Sequence, residues 1–178
     1  MKTLVIGISD CQVSDRPDSE LVTYALGSCI AVSVWDPSRR IAGLLHFMLP
    51  ESSMDTQKAA IAPFMFADTG IERLFRAVAE KGAERRRLIV RLAGGAQVLD
   101  PQGVFNIGKR NYQAARKMLW KLGILIASEA VGGEVSRTVR LINEDGRFRV
   151  REGNGAEKEL PLTSRKGSSN GLPSVAGG

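Results

Sequence analysis

Two neighbouring β-patterned runs constrain the fold most. In the first, Ile30, Val32 and Val34 alternate with smaller residues, as in a strand with one strongly apolar face. The turn-forming string Asp36-Pro37-Ser38-Arg39-Arg40 follows, and Ile41–Leu49 reads as the returning strand. The pattern predicts a hairpin-like pair, with Cys29 just before its first arm and His46 on its second. Upstream, residues from Leu21 are also β-like, with a break at Gly27-Ser28. Met1–Val13 holds the apolar run Leu4, Val5, Ile6 and predicts one further strand, while Asp15–Ser19 reads as a loop.

Beyond the pair the period changes. Pro50–Ala62 has no clear repeat and reads as a loop. Ile71, Leu74, Phe75, Val78 and Ala79 recur at helical spacing, and Gly82 is placed to stop that helix. Leu88–Leu92 predicts a strand ending at Gly94-Gly95. A second helix runs from about Arg110 to Leu122, with Gly123 after it. Ile124–Ser128 is another strand, and Val135–Ile142 with Arg147–Arg151 forms a hairpin over Asn143-Glu144-Asp145-Gly146. Strands first and interspersed helices later predict an α+β layered domain over residues 1–153. From residue 154 the composition turns to Gly, Ser, Lys, Glu and Pro, which predicts a disordered tail over 154–178.

Composition narrows the function. Aromatic residues are only 6% of the chain, so the core is expected to be Val, Ile, Leu and Ala. A formal charge of +6 raises nucleic-acid binding, but no aromatic residues interleave with runs such as Arg85-Arg86-Arg87 to form a stacking platform. An acidic protein partner ranks above nucleic acid. Apolar runs stay short of the roughly 18 residues of a membrane span, and MKTLVIGISD lacks a signal-cleavage pattern, so a cytoplasmic protein without membrane insertion is expected. Cys11 and Cys29 are too few for a disulfide framework, and with one histidine nothing has metal-ligand spacing.

The chemistry-bearing stretch is Thr23-Tyr24-Ala25-Leu26-Gly27-Ser28-Cys29, followed by His46 on the next strand. A cysteine just after Gly-Ser sits where the backbone can turn sharply, so that amides near Gly27 and Ser28 face a developing oxyanion. A thiol also needs a base beside it to become a nucleophile, and His46 is the only histidine. Thr23 precedes the turn and is a candidate to fix the imidazole tautomer. Against this, a cysteine on an apolar strand is usually a small core residue, and a lone histidine between Leu45 and Phe47 is usually structural. Spacing alone leaves both readings open. Cys11 has no such context and reads as packing or surface. The outline Gly103-x-x-x-x-Gly108-Lys109 suggests a phosphate loop, but Arg110 stands where a magnesium-binding Ser or Thr is needed.

The strings TYALGSCIAVSVWDP and GLLHFMLP, with GGAQV, IGKRN and VGGEVSR following in order, resemble the CheD family over Met1 to about Arg151. The resemblance implies a layered sandwich of two packed β-sheets with helices outside. It also implies a cysteine-dependent protein-glutamine glutaminase acting on the cytoplasmic helices of chemoreceptors, with methyl-ester hydrolysis through the same acyl intermediate. Cys29 is then the nucleophile, His46 the base and acid, and Thr23 the residue orienting His46. Gly27 and Ser28 supply the oxyanion backbone, and no cofactor is needed. An alternative implied by the family is a regulatory module docking on a CheC-type phosphatase. The chain departs from the pattern at Ala25, where many relatives have glycine, and at Glu129-Ala130, which puts substrate fit in question rather than chemistry.

Overall fold

The computed structural model describes residues 1–100 and 102–162. Among the described residues, ten strands form two five-stranded sheets. The chain runs through β1 (Lys2–Val5), β2 (Asp10–Ser14), β3 (Ser19–Leu26), β4 (Ile30–Asp36) and β5 (Ile41–Phe47). It continues through α1 (Thr56–Ile61), α2 (Ala67–Glu80), β6 (Ile89–Gly94) and α3 (Ile107–Lys121), then β7 (Ile126–Val131), β8 (Arg137–Ile142), β9 (Phe148–Glu152) and β10 (Lys158–Glu159). One sheet has the order β1-β3-β8-β9-β10 and the other β2-β5-β4-β6-β7.

The expected hairpin is present: β4 and β5 are antiparallel, with Ala31 opposite His46 and Asp36 opposite Ile41. Its turn is fixed by the buried Asp36 carboxylate, which accepts from the amides of Ser38, Arg39 and Glu84 and from the Arg87 guanidinium at 2.8 Å. Burial pushes that carboxyl up, but Arg87 and the three amides outweigh it and hold it below its ordinary value. One arginine of the Arg85–Arg87 run is thereby used inside the fold.

Strand alternation sorts the core into two layers. Ile30, Val32, Val34, Ile41, Leu45 and Phe47 face α2 and α3, where Ile71, Leu74, Val78 and Leu119 cover them. Ala31, Ala42, Leu44 and Ala93 face the other sheet and meet Leu21, Leu26, Val139, Leu141 and Phe148. The result is the expected sandwich of two packed sheets, with the long helices outside one of them. Each fully buried Leu, Ile or Phe stabilises by about 1.5–3 kcal/mol, so both faces are needed.

Three expectations need correction or restatement. Met1–Val13 is two strands rather than one, and they lie in different sheets. Ser9 adopts a left-handed φ of 59° between them and donates its amide to the His46 carbonyl at 2.9 Å. Pro50–Ala62 is not a featureless loop, since Asp55 caps the short α1 by accepting from the Lys58 amide. That helix buries no residue, which is why apolar periodicity could not reveal it. Of the tail expected over 154–178, residues 163–178 lie outside the described residues, while Lys158–Glu159 pairs with β9.

Candidate functional site

The site forms where the chain changes sheet. β3 ends in one sheet and β4 begins in the other, and Gly27-Ser28-Cys29 is the connection between them. Thr23 projects from β3 into the space between the sheets, and His46 projects into it from β5. The Thr23 hydroxyl lies 2.8 Å from His46 Nδ1, and both residues are buried. That hydroxyl donates its single proton to the Ile6 carbonyl at 2.7 Å. It can therefore only accept from the ring, so Nδ1 carries the hydrogen and Nε2 keeps a lone pair. Nε2 is buried without a hydrogen-bond partner among the described residues.

A β-bulge makes this possible. The β3–β8 register shifts between Thr23 and Leu26, leaving Tyr24 and Ala25 both exposed. Without the extra residue, Thr23 and Leu26 could not both face inward, because side chains alternate strictly along a strand. Ala25 takes the left-handed φ of 55° that the bulge requires. A glycine would take that conformation without a Cβ penalty, so alanine at this position bears on backbone strain.

Three consecutive carbonyls hold the cysteine turn. Gly27 O accepts from the Ala96 amide at 2.8 Å and Cys29 O from the Gly95 amide at 2.8 Å. Ser28 O accepts from Asn111 Nδ2 at 2.9 Å. Gly94 shows why the GGA string is glycine-rich. With φ at 111°, an added Cβ would sit 2.2 Å from Cys29 O. Ala31 pairs directly with His46, and Cys29, just before β4, packs against the cluster between the sheets into which His46 projects.

Burial keeps both groups neutral at rest. It raises the Cys29 thiol above its ordinary value, with the residue's own amide opposing. It also lowers His46 to about 4, against the opposing charge of Asp10. Asp10 is the strand partner of His46 across β2 and β5, and its carboxylate accepts from the Cys11 amide at 2.7 Å. The arrangement is an uncharged thiol at the cysteine turn and an uncharged imidazole whose tautomer is set, with no hydrogen bond from Nε2 to the sulfur. Such a pair exchanges a proton when an electrophile arrives. Cys11 differs: burial and Asp10 push its thiol up to about 12 on a strand packed against the helical layer.

The phosphate-loop outline has another use. The Asp100 carboxylate accepts from the amides of Val104, Phe105 and Asn106 at 2.8–2.9 Å, so an internal anion holds the donors a phosphate would need. Braced in this way, the loop displays Leu99 at 96% exposure and Phe105 at 71%. Val98, on the same loop, lies over Gly27. Sequence reasoning missed Asp10 and Asn111. An acid near a turn carries no distinguishing signal, and Asn111 stood only as part of the IGKRN string.

A family profile described as "CheD chemotactic sensory transduction" matches residues 48–152, a span that begins after His46. A protein of Solibacter usitatus named "Probable chemoreceptor glutamine deamidase CheD" is 54% identical over 168 residues, 94% of this chain and 99% of its own. A similarly named protein of Syntrophus aciditrophicus is 48% identical over 160 residues, 90% of this chain and 100% of its own. No helix among the described residues is long and apolar enough to cross a membrane.

Proposed function

This chain belongs to the CheD family, and from that premise we propose that it is a cysteine-dependent deamidase of glutamine side chains on chemoreceptors. The observation carrying the mechanism is the Thr23–His46 contact, which leaves Nε2 as the only ring nitrogen with a lone pair. His46 Nε2 takes the Cys29 thiol proton as sulfur attacks the carboxamide carbon. Backbone amides of the Gly27–Cys29 turn stabilise the oxyanion. The C–N bond breaks, His46 returns the proton to departing ammonia, and a thioester remains. Water, deprotonated by His46, then cleaves the thioester to glutamate and free thiol. Methyl-ester hydrolysis follows the same path with methanol leaving. No step calls for a cofactor.

The substrate side fits a receptor helix. Tyr24 beside the turn, and Leu99, Val104 and Phe105 on the loop whose Val98 lies over Gly27, are exposed apolar side chains that we read as one rim suited to the apolar face of an amphipathic helix. Receptor helices of this kind lie in the cytoplasm, so the deamidase reading expects the protein there. The same rim supports a second reading, in which a CheC-type phosphatase docks a helix on it.

Mass spectrometry of a receptor cytoplasmic fragment, incubated with wild type or Cys29→Ala, tests the proposal. Glutamine-to-glutamate conversion by wild type alone supports it. Conversion by neither moves the reading to a docking module, and conversion by both removes Cys29 from the mechanism.

A further inference from the structure

A planar trans peptide points its N–H opposite to its C=O, so whatever holds a carbonyl also aims the next residue's amide. The carbonyls of Gly27 and Cys29 are held by backbone amides from the Gly95-Ala96 segment. Ser28 O is the exception among these three, being held by a side chain, Asn111. The peptide it belongs to carries the Cys29 N–H.

We propose that Asn111 is a positioning residue: by fixing the Ser28 carbonyl it aims the Cys29 amide at the oxyanion formed on the substrate. The inference rests on the deamidase reading above. Asn111 is fully buried on the first turns of α3, and its Nδ2 also donates to Met48 O at 2.9 Å. Met48 is two residues past His46, so one amide group ties the nucleophile's turn to the exit of the base's strand.

The side chain reaches both because α3 approaches closely. A Cβ on Gly108 would lie 2.6 Å from Gly95 O, a spacing open only to glycine. The acceptor Asn111 Oδ1 has no partner among the described residues. A buried acceptor left unpaired is costly, and a residue selected only to fill space would be apolar. Both protons of Nδ2 serve the site. The Cys29 amide also lies by its own thiol, where it partly offsets the rise caused by burial.

The test compares wild type with Asn111→Ala on a receptor fragment, alongside iodoacetamide alkylation of Cys29, which forms no oxyanion. The expected result is a fall in kcat of about 10²-fold, the effect of one misplaced oxyanion donor. KM and alkylation should stay within about threefold of wild type. A folded variant with kcat within about threefold overturns the proposal. So does a parallel loss of alkylation, which would place the effect on the thiol. If the variant does not fold, the wild type decides by NMR. A receptor-derived peptide with an aldehyde in place of the glutamine carboxamide should move the Cys29 amide proton downfield, and an unmoved proton overturns the proposal. Wild type that deamidates nothing sinks the deamidase reading itself, whereas active wild type with active Asn111→Ala sinks only this one.

Discussion

Thr23 reaches from one sheet to His46 of the other at 2.8 Å, with its only proton given to Ile6 O. The contact therefore sets the imidazole tautomer as well as its position. Thr23→Val keeps the shape and removes the acceptor. It should lower kcat by about 10²-fold, since the base loses its correct tautomer. Thr23→Ser should remain close to wild type. Equal activity in all three proteins would remove Thr23 from the mechanism.

His46 gives a pH signature in stability. Its native value of about 4 lies below the ordinary 6.5, so the unfolded chain takes up a proton that the native chain refuses. The contribution is complete above pH 6.5 and is lost as pH falls towards 4. Its full size is about 3 kcal/mol. Urea unfolding at pH 7 and pH 4.5 should show a larger loss for wild type than for His46→Gln. Identical losses would mean that His46 is not held neutral.

Ala25 occupies a left-handed position at the β3 bulge. Glycine adopts that conformation without the Cβ penalty, so Ala25→Gly should stabilise by about 1 kcal/mol, or ~3 °C in Tm. The kcat for deamidation should be unaffected, because Ala25 points away from the buried Thr23–His46 pair, and any change in substrate fit is read in KM. A lower Tm would show that the bulge is not strained.

Gly94 is expected to tolerate nothing larger. Gly94→Ala adds a Cβ against Cys29 O at a φ of 111°, costing about 1–3 kcal/mol of strain. The shift must be taken up by the cysteine turn. Activity measured well below Tm should therefore fall further than stability accounts for. A fully active variant would show that the turn can move without harm.

Asp100 separates docking from chemistry. Asp100→Ala removes the anion bracing the amides of residues 104–106. KM for a receptor fragment should rise several-fold, while iodoacetamide alkylation of Cys29 stays unchanged. Unchanged KM would free the Leu99–Phe105 rim of any role in receptor binding.

Much of this protein is written in local pattern. Alternation at Ile30–Val34, the turn at Asp36–Arg40 and helical spacing from Ile71 onward specify their elements, because period and turn chemistry act over a few residues. The strings around Cys29 and His46 also marked the candidate site. Local pattern could not decide which sheet each strand joins. Residues 1–13 read as one strand, yet Ser9 divides them between two sheets, and only packing determines that choice. The Thr23–His46 contact exists because β3 and β5 face each other across the interior, and because a bulge turns Thr23 and Leu26 inward together. Asn111 lies 83 residues from Ser28 in the chain, with nothing local to mark it. Hydrogen bonds at such separations depend on layer, register and close approach, which a sequence acquires only on folding.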